Sequence, residues 1–352
     1  MSKKLVLTLL LTACAGRDLT PLGDEALFTD RSSDLTQTLL TETGGRVDWS
    51  QAHDLIAFDR RADDDFFDVW TMRPDGTDQH CFTCDLPGLP TKNVGQPAWS
   101  PDGKFLIVQA QKADSKIGRI VANPGAGVGN DLWAITFPEG RVFQLTDVPS
   151  GNGHGTLHPH FSPDGRTLLW GEMTGAFELT QEAIAGTWML QSADFVVSEG
   201  GPTLENLTLY PVSEGPGFYE NHGLSPDGTK WIFSANLDRE KPLAQLNDIY
   251  VMDFPSGDNL KRLTTGGYNE HATFTPDERV VWMSSAGNVK GGTDYWSAKL
   301  DGSDLTRLSR LTVQRSEKST AADLSMGPDG TSFVAYIGDG SGAGRIILFT
   351  GL

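Results

Sequence analysis

One five-residue phrase returns along the chain and limits what it can fold into. Trp99-Ser100-Pro101-Asp102-Gly103 recurs as Phe161-Ser162-Pro163-Asp164-Gly165, as Leu224-Ser225-Pro226-Asp227-Gly228 and as Phe274-Thr275-Pro276-Asp277-Glu278. A last copy is Met326-Gly327-Pro328-Asp329-Gly330, and the prolines step by 62, 63, 50 and 52 residues. Each copy reads as a tight turn, because Pro presets φ while Asp and Gly supply turn chemistry. A short apolar strand follows, such as Phe105 to Val108 or Thr167 to Trp170.

A second motif follows in most repeats: Asp68-Val69-Trp70, Asp131-Leu132-Trp133, Asp248-Ile249-Tyr250 and Asp294-Tyr295-Trp296. Then come a Gly-containing turn and a strand ending in Gln144-Leu145-Thr146, Arg262-Leu263-Thr264 or Arg307-Leu308-Ser309. Arg73-Pro74-Asp75-Gly76 looks like the first motif but sits after Asp-x-Trp, where the third-to-fourth strand turn belongs. Four short strands per repeat, arranged around a circle, describe an all-β propeller. Six blades are expected. Five carry the Pro-Asp turn, and the first, near Val47-Asp48-Trp49, is degenerate. The last unit stops at its third strand, Arg345 to Thr350, while Asp34 to Thr41 reads as an orphan fourth strand. Pairing the two closes the ring and covers its edges.

These repeats resemble the TolB-type propeller, a relative of WD-type repeats, over nearly the whole chain after its leader. TolB carries an additional N-terminal α/β domain, for which the stretch between Cys14 and the first blade leaves no room, so an envelope-bridging role is not expected. Prolyl-oligopeptidase relatives join a hydrolase domain to a similar propeller, but the sequence has no G-x-S-x-G elbow. Gly125-Ala126-Gly127-Val128-Gly129 lacks the spacing of a dinucleotide loop and reads as a flexible loop tip.

Residues 1–13 read as a signal peptide: Lys3 and Lys4 precede the apolar run Leu5 to Leu11, too short to span a bilayer. Leu11-Thr12-Ala13-Cys14 resembles the bacterial lipoprotein site. That implies a lipid on Cys14, a tether over 14–30, a propeller over 31–352, and a periplasmic location. Ala15 favours the outer membrane. No other contact with a membrane is expected. The formal net charge of -18 argues against nucleic-acid partners. The other two cysteines, Cys81 and Cys84, suit a local disulfide in an oxidising compartment. A redox motif would place them at a helix N-terminus, and zinc would need more ligands than His80.

Long second-to-third strand connections, Gln111 to Asn130, Gly171 to Gly186 and Leu237 to Asn247, emerge on one face, where binding residues usually sit. Three residues before the turn-preceding position stand Gln96, His158, Asn221, His271 and Asp323. Aligning Tyr219-Glu220-Asn221-His222 with Tyr268-Asn269-Glu270-His271 makes His222 and His271 equivalents. His158, His222 and His271 then converge at the channel mouth with Glu220, Glu270 and Asp323, flanked by His154 and His160. Imidazoles and carboxylates on one axis suit a single divalent ion: manganese, zinc or calcium. The same histidines could instead bond neighbouring blades or sense pH. Two functions are expected: a binding or assembly module taking a protein or glycan on the long-loop face, or a metal-dependent enzyme acting on a glycan. The second resembles the oligogalacturonate lyases, with Lys112, Lys116 and Arg119 available for a carboxylate.

Overall fold

A computed structural model describes residues 28–175, 186–212, 217–237, 247–288, 292–311, 319–338 and 344–352, and these contain no helix. The leader and Cys14 lie outside them, as does most of the 171–186 and 237–247 connections. Two strands precede the first blade, β1 (Thr29–Asp30) and β2 (Thr36–Thr41). Blade one is β3 (Val47–Trp49), β4 (Ile56–Arg61), β5 (Phe67–Met72) and β6 (His80–Cys81). Blade two is β7 (Val94–Trp99), β8 (Phe105–Gln111), β9 (Asn130–Thr136) and β10 (Val142–Gln144). Blade three has longer strands: β11 (Gly155–Phe161), β12 (Thr167–Gly175), β13 (Thr187–Ser198) and β14 (Gly201–Tyr210). Blade four is β15 (Tyr219–Leu224), β16 (Lys230–Ala235), β17 (Asp248–Asp253) and β18 (Lys261–Arg262). Blade five is β19 (Asn269–Phe274), β20 (Arg279–Ser284), β21 (Asp294–Lys299) and β22 (Thr306–Arg307). Blade six is β23 (Thr320–Met326), β24 (Ser332–Gly338) and β25 (Gly344–Thr350), completed by β2. Each blade is an antiparallel meander, and the innermost strands touch in the ring order β3, β7, β11, β15, β19, β23.

The turn motif works through its side chains. Ser100 donates to Asp102 (2.8 Å), and Asp102 accepts the Lys104 N–H (3.1 Å). The Ser100 oxygen also accepts the Phe105 N–H (2.9 Å), which starts β8. Ser162 and Ser225 repeat these bonds with Asp164 and Asp227. Gly103 takes φ 72°, a left-handed value that Glu278 must adopt in the fourth copy, at φ 62°. The Asp of the second motif ties the outer strand down. Thr264 donates to Asp248 (3.0 Å) and accepts the Ile249 N–H (2.9 Å). Thr83, Thr146 and Ser309 do the same for blades one, two and five.

Successive residues of a strand point to opposite faces, so each second strand feeds two cores. Leu106 packs with Ala57 and Val69 of blade one, while Ile107 packs with Leu168 and Trp170 of blade three. Phe233 and Ile232 divide in the same way between blades three and five. The second strands are therefore buried on both faces, which explains their unbroken apolar runs. Burying a side chain such as Phe233 contributes about 1.5–3 kcal/mol.

The ring closes through β2 and β25, Thr36 opposite Thr350 and Leu39 opposite Ile347. Two expectations are revised. Thr29 and Asp30, assigned to the tether, add a parallel fifth strand beside β22. The glycine-rich segment is a packed element, not a flexible tip. Val128 is fully buried, and a Cβ on Gly125 would lie 2.0 Å from Arg46 Nη2.

Candidate metal centre

Each inner strand from blade two to blade six carries a bulge, in which two residues face one on the second strand. The first bulged residue is Gln96 in blade two, His158 in blade three, His222 in blade four and His271 in blade five. A bulge re-aims a side chain, and here it turns all three imidazoles into the channel. Gln96, His158 and His271 take φ 50°, 51° and 49°, while in blade four Gly223 takes the positive φ instead. A left-handed residue with a Cβ costs roughly 1–2 kcal/mol. Neighbouring blades hold the bulges in place: the His158 N–H donates to Gln109 Oε1 (2.9 Å) and the Gln96 N–H to Asp59 Oδ2 (3.1 Å).

The three rings stand 5.6–5.9 Å apart, centroid to centroid. One nitrogen from each lies within 4.8 Å of the others. Asp323 Oδ1 is 3.8 Å from His158 Nδ1 and 3.6 Å from His271 Nδ1. Glu220 and Glu270 lie behind the rings, each 3.5 Å from an imidazole Nε2, of His158 and His271 respectively. Glu270 accepts hydrogen bonds from Asn247 Nδ2 (2.8 Å) and the Tyr268 hydroxyl. Burial, the adjacent rings and, at His158, the Arg46 charge hold His158 and His222 well below the ordinary imidazole value. Both are therefore neutral at physiological pH, the form that ligates metals. Burial and the Glu270 charge push the Glu220 carboxyl well above its usual range.

Asn221, grouped with the site by sequence position, turns its side chain toward the adjoining blade. Its amide donates to the His158 (2.7 Å) and Leu169 (3.0 Å) carbonyls, and its oxygen accepts Trp231 Nε1 (2.7 Å). It bonds blade four to blade three. His160 lines the same cavity, and its Nδ1 faces the His158 carbonyl (3.3 Å). Lys112 is committed to Asp131 (3.1 Å) and Asp147 (2.5 Å), and Arg119 to Asp65 (2.6 Å). Cys81 and Cys84 are joined by a disulfide.

Arg46 and Asp59 were not apparent from the sequence. The Arg46 N–H and guanidinium both donate to Asp59 Oδ1. Burial opposes its charge, but Asp59 and Asp323 hold Arg46 above its ordinary value. Only the repeat phase around Gly45-Arg46-Val47 could have signalled it.

A cavity of about 100 Å³ is lined by Gln96, the three histidines and Asp323, and continues past Pro97, Pro159, Thr273, Ser325 and Asp48. Thr273 and Ser325 lie past the bulges, on the side of their strands nearer the Pro-Asp turns. Two polar atoms of residues lining this cavity have no hydrogen-bond partner among the described residues: Gln96 Nε2 and His271 Nδ1. Buried polar atoms without partners are rare. Zinc–nitrogen bonds of about 2.1 Å place tetrahedral ligand atoms about 3.4 Å apart, so the three imidazoles need only a small inward shift to fit an ion.

No protein-family model matches the chain. The uncharacterised protein Atu1656 of Agrobacterium fabrum is 28% identical over 213 residues, 60% of this chain and 57% of that protein. The uncharacterised peptidase YuxL of Bacillus subtilis is 28% identical over 178 residues, 46% of this chain and 24% of that one. The chain thus spans less than two thirds of either relative. Among solved structures, TolB from Acinetobacter baumannii superposes with TM-score 0.52 at 17% identity, over 89% of this chain and 65% of that one. The tricorn protease gives TM-score 0.52 at 15% identity, over 85% of this chain and 25% of that one. At such identities the likeness speaks for architecture. The ring of six four-stranded blades is the TolB-type propeller fold.

Proposed function

We propose that the protein is a lipid-anchored, periplasm-facing binding module that holds one divalent transition-metal ion on His158, His222 and His271 and grips a protein or glycan ligand through it. The observation that carries this reading is the convergence of three imidazoles from three blades on one cavity. The close bonds between blades three and four run through the Asn221 amide (2.7 and 3.0 Å), while the ring nitrogens of His158 and His271 stand 3.5–3.8 Å from the nearest carboxylates. His222 Nε2 bonds Ser234 of its own blade (2.6 Å), which fixes the ring. Nitrogen donors suit zinc better than calcium, which takes oxygen ligands. The bound ion would supply a Lewis-acidic charge for a carboxylate or hydroxyl oxygen. Asp323 would balance that charge, and Gln96 Nε2 offers a donor to the ligand.

A second reading, a metal-dependent lyase on a glycan, is favoured by the Glu220–Glu270 pair and by Tyr268, whose hydroxyl bonds Glu270. Such a reaction needs a cation at the uronate carboxylate and a group that removes the α-proton. Metal content tests the shared premise. Protein dialysed against zinc, manganese or calcium should retain about one zinc or manganese ion per chain, by elemental analysis. Alanine at any one of the three histidines should remove it, and chelation should lower the melting temperature. A content near zero with all three metals would reject both readings.

A further inference from the structure

The outer strand of blade one departs from its counterparts at one position. In blades four and five the residues opposite Tyr250 and Trp296 are Arg262 and Arg307, whose guanidinium groups pair with Asp248 and Asp294. Blade two uses Gln144, with Lys112 beside Asp131. The corresponding residue of blade one, opposite Trp70, is Cys81, bonded to Cys84. Asp68 keeps its Thr83 hydroxyl (3.1 Å) but, among the described residues, pairs with no cation. Arg60, its partner across β4, lays its guanidinium 3.4 Å over the Trp70 ring and donates to Gln79. The other charges near Asp68 are the carboxylates Asp64 and Asp85, which add to burial in raising its proton affinity. An Asp68 oxygen and both sulfurs lie within 4.8 Å of one another, and Cys84 is exposed.

We propose that Cys81–Cys84 is a thiol–disulfide exchange site for an external dithiol, with Asp68 carrying the proton for the Cys81 sulfur. The dithiol's thiolate bonds to the exposed Cys84 Sγ. The Cys81–Cys84 bond breaks, its electron pair stays on Cys81 Sγ, and that sulfur takes the proton held by Asp68. The second thiol, deprotonated, then attacks the dithiol's own sulfur in the mixed disulfide and releases Cys84 as a thiolate. Solvent protonates Cys84 and restores the proton on Asp68. The protein disulfide is reduced to two thiols and the dithiol is oxidised to its disulfide. Supplying a proton to the leaving sulfur speeds this exchange, because the leaving group's basicity limits the rate.

The test treats the folded full chain with dithiothreitol and counts free thiols by alkylation and mass spectrometry. Reduction should proceed with the circular dichroism spectrum unchanged. Asp68→Asn should slow it at least tenfold at pH 7, with partial recovery in Asp68→Glu. A disulfide that resists dithiothreitol until urea unfolds the chain would overturn the proposal, as would an Asp68→Asn rate within twofold of wild type. Should Asp68→Asn not fold, the wild-type pH profile decides. A rate following only the thiolate fraction of dithiothreitol, with no second ionisation, also overturns it.

Discussion

Asp48 offers a quantitative test of how the ring is closed. Its carboxylate accepts the Trp99 N–H (2.6 Å) and the Ser325 hydroxyl (2.8 Å), so one side chain of blade one holds blades two and six. Burial outweighs these bonds and raises Asp48 to about 6, from the ordinary 3.8. Between those values the folded protein binds a proton that the unfolded chain has released. Stability from this group is therefore present at acid pH and falls as pH rises through 6. At about 1.36 kcal/mol per pKa unit, the loss is about 3 kcal/mol by pH 7.5 and about 1 kcal/mol at pH 4.5. Acidifying from 7.5 to 4.5 should thus stabilise the wild type by about 2 kcal/mol relative to Asp48→Asn. This is an upper figure, because Asp48 borders the cavity and solvent screens part of its charge. Asn conserves the bonds, its oxygen accepting from Trp99 and its amide donating to Ser325. Urea denaturation of both proteins at several pH values gives the difference directly. Other raised carboxylates, such as Asp59 and Glu220, cancel in it. A stability difference that stays constant from pH 4.5 to 7.5 would refute the reasoning.

Glu278→Gly should stabilise the protein by about 0.5–1 kcal/mol, since it removes a left-handed side-chain residue at some gain in unfolded-state entropy; a lowered urea midpoint would contradict it. Cys14→Ser should move the protein from the membrane pellet to the soluble fraction, and unchanged retention in the pellet would reject the lipid anchor.

The blades were legible because their signals are local. Ser-Pro-Asp-Gly specifies a turn by bonds within five residues, and the Asp and the Thr or Ser of each outer pair lie 15–16 residues apart. Ring closure was legible from the missing fourth strand. The histidine cluster could be read because repeat phase substitutes for three-dimensional position, and even the shifted His222 was recovered by aligning on tyrosine. Partners joined across blades escaped. Asp59 reaches Gln96, 37 residues away, through a backbone N–H that no side-chain pattern reveals. Asn221 shares the repeat position of His158, yet its bulge begins one residue later, at His222, and turns the amide toward the adjoining blade. The glycines of 125–129 suggested mobility, whereas their lack of side chains lets the segment pack against Arg46.

The pairing of β2 with β25 also sets an order of events during synthesis. The strand that completes blade six is made before blade one, whereas its partner β25 is made after blade five. Until then Leu39 and Leu40 wait on an unpaired edge. Contacts this distant in sequence are slow to form, and incomplete sheets with open edges are prone to aggregate. The closing strand thus makes the nascent protein dependent on being kept apart from its neighbours until β25 has been made.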